Sequence, residues 1–130
     1  MDLLDGRPGV FSARYSAAGA NSRENLEKVL LELGAITLDL ERRMGAYCCA
    51  LTLTQVVDGR MSREDSSQGE RRGLIATASR GENGYAYDSV FLDPQTLRSY
   101  GEVSYEEKQI DSHRQRAFEN LRRLLESRIP

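Results

Sequence analysis

The only histidine of the chain, His113, lies in Lys108-Gln109-Ile110-Asp111-Ser112-His113-Arg114, between two cations at what reads as a helix start. A second dense segment precedes it, Arg80-Gly81-Glu82-Asn83-Gly84-Tyr85-Ala86-Tyr87-Asp88-Ser89-Val90-Phe91. The first offers ammonium, imidazole and guanidinium donors from Lys108, His113 and Arg114. The second offers the aromatic faces of Tyr85 and Tyr87 and the carboxylate of Asp88. A heteroaromatic base with a keto oxygen needs both kinds of group: donors for the oxygen, an acceptor for the ring N–H, and a flat face to stack on the ring.

Each residue also has a structural reading. His113 and Arg114 fit a solvated first turn, although cations are disfavoured at the positive end of a helix dipole by roughly 0.3–1 kcal/mol each. Either Asp111 or Ser112 can cap that helix. Tyr85 and Tyr87 alternate, so one suits a core and the other an exposed position. Asp88 suits a turn, and Arg14 and Tyr15 suit loop packing. Glu102, Glu106 and Glu107 read as a solvated charge run rather than metal ligands.

The elements that must position these groups are legible in outline. Residues 1–20 read as loop, punctuated by Gly6, Pro8, Gly9 and Gly19. Asn21 with Glu24 forms a capping-box pattern, opening a helix with Leu26, Val29, Leu30 and Leu33 on one face and Gly34 as its stop. Residues 35–45 suit either an alternating strand or a helical turn. Tyr47–Val57 is the clearest strand, ending at the turn Asp58-Gly59. The polar residues 58–70 read as a mobile hairpin connection, and Gly73–Thr77 and Ser89–Leu92 as short strands. A last helix spans Ser112–Arg128, with Ala117, Leu121, Leu124, Leu125 and Arg128 along one stripe and Phe118 beside it. Strands flanked by helices indicate an α/β (α+β) fold.

At 130 residues with a formal net charge of -2, one domain is expected over 1–130, with no electrostatic case for nucleic acid or an anionic membrane surface. No apolar run approaches the ~20 residues of a membrane span. Cys48 and Cys49 are adjacent, a poor geometry for a disulfide, which points to a reduced, cytoplasmic setting.

Five segments in order resemble the inosine/xanthosine triphosphate pyrophosphatases, which hydrolyse non-standard purine NTPs to monophosphate and pyrophosphate. Gly6-Arg7-Pro8-Gly9-Val10-Phe11-Ser12-Ala13-Arg14-Tyr15 is similar to a G-x-P-G-x-Y-S-A-R-Y run, and Gly69-Glu70 with Gly73-Leu74-Ile75 to G-E-x-x-G-x-I. Gly84 to Phe91 resembles G-F-G-Y-D-P-x-F, and Ser99-Tyr100-Gly101-Glu102-Val103 resembles T-x-A-E-L. Glu107-Lys108 followed by Ser112-His113-Arg114 matches E-K-x-x-x-S-H-R.

The resemblance implies a mixed-sheet pyrophosphatase fold and a purine site made by Tyr85, Ala86, Tyr87, Asp88, Lys108, Ser112, His113 and Arg114. It implies Tyr85 as the stacking ring and Lys108, His113 and Arg114 as donors to the O6 of a 6-keto purine. Those donors cannot satisfy an exocyclic amine, and a buried donor left unpaired costs ~1–3 kcal/mol, so adenine is rejected. The family's T/S-x-N-x-x-K phosphate loop and D-D-S-G-L segment have no counterpart in this sequence, whose Met1-Asp2-Leu3-Leu4 resembles the residues following the latter. The reading is therefore an N-terminally truncated member, inactive alone, without catalytic or metal-binding residues of its own. Mg²⁺ is implied only through ligands this sequence lacks, and a homodimer or a complementing N-terminal half is the expected partner. A non-catalytic nucleotide-binding or partner-binding protein is the alternative.

Three positions depart from the pattern. Ala86 replaces a glycine, removing ready access to positive φ. Ser89 replaces a proline, giving a less rigid turn. Asp111 stands in an apolar place, where its carboxylate is expected to pair with Lys108 or Arg114.

Overall fold

A computed structural model describes residues 1–129. The chain packs as two compact units, Met1–Ala46 with Arg72–Lys108 and Tyr47–Arg71 with Gln109–Pro130.

In the first unit, helix α1 (Ser22–Ile36) starts at the expected capping box. The Glu24 amide donates to Asn21 Oδ1 at 2.9 Å, and the Glu24 carboxylate accepts from the Asn21 amide at 3.1 Å. Leu26, Val29 and Leu33 are buried along one face. Gly34 does not stop the helix, which continues to Ile36 before Thr37 turns extended. The Thr37 amide still donates to the Leu33 carbonyl at 2.9 Å, and a single glycine costs only about 0.5–1 kcal/mol within a helix already anchored by burial. The stretch read as loop before α1 holds two 3₁₀ helices, Asp2–Leu4 and Gly9–Arg14, both packed against α1. The ambiguous residues after α1 resolve into a 3₁₀ turn at Leu40–Arg42, capped by Asp39.

Strand β1 (Met44–Val57) and strand β2 (Arg60–Ile75) are joined by Asp58 and Gly59, at φ 51° and 72°. Two left-handed residues at a two-residue turn match the twist of the flanking strands, as Asp-Gly predicts. The polar residues 58–70, expected to form a hairpin connection, are mostly strand. The polarity comes from exposure. Arg60 to Glu64 are all exposed, and beyond them Asp65 and Gly69 are buried and Ser67 half-buried, alternating with exposed neighbours. A strand with so few apolar inward residues carries no period-2 hydrophobic signal.

The sheet order is β1-β2-β3, with β3 only Phe91–Leu92. Strands β2 and β3 are antiparallel, Leu74 opposite Leu92 and Ile75 opposite Phe91. The expected strand at 73–77 is the end of the longer β2, which stops at Ile75, and the one at 89–92 is shortened to Phe91–Leu92 because Ser89 and Val90 lie in a 3₁₀ turn, Asp88–Val90. The core of this unit gathers Leu4, Val29, Leu33, Leu74, Ile75, Val90, Phe91 and Leu92. Gly73 lies against Phe91 so closely that a Cβ would stand 2.6 Å from both the Phe91 ring and the Leu92 carbonyl.

In the second unit, helix α3 (His113–Glu126) lies along β2. Gly69 permits this approach, since a Cβ there would collide with the His113 carbonyl and the Ala117 amide. Polar bonds line the seam: Ser67 Oγ donates to the Ala117 carbonyl and Asn120 Nδ2 to the Gln68 carbonyl, both at 2.8 Å. Arg128 pairs with Asp65, which Arg63 also holds at 2.6 Å. Of the predicted stripe, Ala117 is fully buried and Leu121, Leu124 and Leu125 are half-buried, whereas Arg128 and the neighbouring Phe118 are exposed.

Candidate functional site

In the first unit, the chain from 83 to 88 folds into a tight turn rather than a strand, with Gly84 and Ala86 both left-handed, at φ 72° and 53°. Ala86 therefore reaches the positive φ that its replacement of glycine was expected to remove. The turn is over-determined by Asp88, whose Oδ2 accepts from the Tyr85 amide at 3.1 Å and from Lys108 Nζ at 2.6 Å. Both partners of that ion pair are withdrawn from water, Lys108 with 11% and Asp88 with 5% of the side chain exposed. Lys108 comes from helix α2 (Tyr105–Gln109), a short element the charge run 102–107 did not reveal. Its ammonium also lies 5.3 Å from the centroid of the Tyr85 ring.

The alternation of Tyr85 and Tyr87 separates the two rings as expected. Tyr87 is buried, and its hydroxyl donates to the Ser12 carbonyl at 2.6 Å, tying this turn to the 3₁₀ helix Gly9–Arg14. Burial pushes the Tyr87 phenol above its ordinary pKa. Tyr85 is 67% exposed. Beside it a cavity of about 350 Å³ is lined by Asn83, Gly84, Tyr100, Val103, Ser104, Tyr105 and Lys108. Tyr100 and Tyr105 were not singled out from sequence. Tyr100 lies inside the T-x-A-E-L-like run and could have been suspected, whereas nothing local marks Tyr105.

In the second unit, Ser112 is the cap of α3, its Oγ accepting from the Gln115 amide at 3.1 Å. His113 and Arg114 are the first two helical residues. The His113 ring stacks on Tyr47 with centroids 5.2 Å apart and planes 21° apart. Asp111 pairs with neither Lys108 nor Arg114. Arg116 grips both its oxygens at 2.6 Å, and Arg71 stands 3.7 Å away. A planar guanidinium one turn into the helix meets a carboxylate bidentately, which a lysine cannot do. Those hydrogen bonds hold the Asp111 carboxyl below the usual carboxylate range.

Two carboxylates of the acidic cluster, Glu102 and Glu107, are committed to backbone and to arginine. Glu102 accepts from the Ser99 amide at 2.9 Å, and Glu107 accepts from the Ser104 amide and from Arg98 at 3.2 Å. Among the described residues no three His, Cys, Asp or Glu side chains are grouped as metal ligands. The Mg²⁺ that the resemblance implies thus finds no fitting donor set among them.

A mixed α/β fold with an Asp-Lys-aromatic cluster beside a cavity of about 350 Å³ narrows the class, and comparison with known proteins names it. The Ham1 family model matches residues 1–124, and the chain belongs to the Ham1 family. It is similar to the dITP/XTP pyrophosphatase of Bacillus subtilis (strain 168), with 37% identity over 127 residues covering 98% of this chain and 61% of that protein. Among solved structures it resembles a HAM1 protein from Coxiella burnetii, with TM-score 0.81 and 33% identity over 97% of this chain and 62% of that one. The Staphylococcus aureus Ham1 protein gives TM-score 0.81 and 31% identity, over 98% and 62%. The expectation of lost amino-terminal motifs draws no support from these matches, which run along almost the whole chain. The chain spans about three fifths of the length of the relatives it matches.

Proposed function

We propose that this chain recognises the base of a 6-keto purine nucleotide and does so as part of a dITP/XTP-type pyrophosphatase. The observation that carries the reading is the Lys108 ammonium, held between the Asp88 carboxylate and the Tyr85 ring beside a cavity of about 350 Å³. Lys108 supplies a donor suited to a keto oxygen, Asp88 an acceptor suited to a ring N–H, and exposed Tyr85 a stacking face. The E-K-x-x-x-S-H-R resemblance carries His113 and Arg114 as further donors, on the helix that Ser112 caps.

Ligand that binds only the native state raises the melting temperature. ITP and IMP are accordingly expected to raise it more than ATP and AMP at equal millimolar concentration, read by differential scanning fluorimetry. His113→Ala and Arg114→Ala are each expected to weaken IMP binding by ~1–3 kcal/mol, the scale of a hydrogen bond to a buried or charged group. Equal shifts by inosine and adenine nucleotides would count against base recognition.

Attack of water on a nucleoside triphosphate requires charge neutralisation at the phosphates and a positioned water. The motifs that supply these in the resembled family are absent from the 130 residues. A polypeptide of these residues alone is therefore expected to bind inosine nucleotides yet release little pyrophosphate from ITP or XTP in Mg²⁺. Release is expected once a polypeptide carrying the phosphate loop and the acidic segment is added. Robust turnover by the 130-residue polypeptide, lost on Lys108→Ala, would overturn this division of labour.

A further inference from the structure

Tyr85 lies between two left-handed residues, Gly84 and Ala86. For glycine that conformation is free, but a Cβ meets the neighbouring carbonyl and is disfavoured there. Gly84 is required on a second ground, because a Cβ at that position would collide with Asp88 Oδ2. The other non-glycine residues at positive φ are Asp5, Asp58, Leu97 and Asp111. Aspartate offsets the penalty through local hydrogen bonds, whereas alanine has no group with which to do so.

Ala86 is thus held by its surroundings. On one side the Tyr85 amide donates to Asp88 Oδ2 at 3.1 Å, and the Asp88 amide donates to the Tyr85 carbonyl at 3.1 Å. On the other the Tyr87 hydroxyl is bonded to the Ser12 carbonyl. The Lys108 ammonium anchors Asp88 from behind. Opening of the turn breaks the Tyr85–Asp88 bonds and lets Ala86 relax to negative φ.

We infer that Ala86 is a positioning residue: its strain sets how much of the protein holds the closed turn that presents the Tyr85 ring and the Lys108–Asp88 pair. The positioning role rests on the base-recognition reading above. The left-handed penalty shifts the opening equilibrium toward the open turn by roughly fivefold. A ligand that needs the closed turn binds more weakly in proportion to the closed fraction.

Ala86→Gly removes the Cβ and tests this. Native-state amide exchange at Tyr85 and Asp88 is expected to slow by roughly two- to threefold, part of a roughly fivefold shift of the opening equilibrium. Exchange at Leu33, in the buried part of α1, serves as the control for global stability, together with the urea midpoint. The Kd for IMP, read by titration calorimetry, is expected to tighten by the factor that the closed fraction gains, the two changes multiplying to about fivefold, and Ala86→Val to shift both readouts the other way. Unchanged exchange at Tyr85 and Asp88 in Ala86→Gly would overturn the inference. Slower exchange with an identical IMP Kd would also sink the positioning role, while leaving base recognition intact. If IMP binds neither protein, base recognition fails, and the positioning role falls with it.

Discussion

Replacing Asp88 by Ala is expected to lower the free energy of unfolding by about 3–5 kcal/mol, because it strands a buried ammonium. Asp88 is ion-paired with Lys108 at 2.6 Å, and the pair is shielded from water at both ends. The same oxygen accepts the Tyr85 amide, so the turn loses its internal acceptor as well. Removing both charges together is expected to cost far less. In the double variant Asp88→Asn with Lys108→Met, the asparagine carbonyl still accepts from Tyr85, and an apolar side chain replaces the ammonium. Its stability is expected within about 1 kcal/mol of the parent, since uncharged replacements of a buried pair are often neutral. Urea unfolding followed by circular dichroism gives both numbers. The two variants are also expected to diverge from the parent in one shared respect, loss of IMP binding. A single variant as stable as the parent would mean that Lys108 swings out to water, and that the pair contributes nothing to the turn.

Arg43→Ala is expected to destabilise the protein by roughly 3–5 kcal/mol, a large part of the ~5–15 kcal/mol typical of a domain. Arg43 is 1% exposed, and among the described residues its guanidinium is ion-paired with no carboxylate. Its guanidinium instead donates to the carbonyls of Ile75 at 2.7 Å, Ala76 at 2.8 Å and Thr37 at 2.9 Å. Burial lowers its pKa. Truncation leaves three carbonyls without their donor, each worth about 1–3 kcal/mol if water cannot reach it, partly offset by removing a buried charge. The melting temperature is expected to fall by roughly 10–20 °C. Arg43→Lys keeps the charge but not the planar fork, and is expected to recover less than half of the loss. Stability equal to the parent in Arg43→Met would show that desolvation of the guanidinium cancels its hydrogen bonds. Because Arg43 joins the end of α1 to the end of β2, it also steadies the strand from which the residues of the Tyr85 turn depart.

Which parts were legible depended on how local their causes are. The capping box at Asn21, the Asp58-Gly59 turn, the β1 strand and the cap at Ser112 each follow from a few residues acting on their own backbone. The same holds for the separation of Tyr87 into the core and Tyr85 into solvent. β2 was missed because its lower half meets water on one face and a glycine-and-serine seam on the other, leaving no hydrophobic alternation to read. Gly34 was misread as a stop because glycine permits a left-handed end without compelling one, and Leu33 holds the helix through it.

Motif spacing by itself determined the family and supplied the residues proposed for the site. Only the tertiary structure decided how those groups are shared out. It set Asp88 on Lys108, buried Arg43 among carbonyls and forced Ala86 into a left-handed turn. Each of these choices is made between residues far apart in the chain or against a local preference. Such outcomes depend on which partner reaches a buried charge or amide first in space, and order along the chain does not encode that distance.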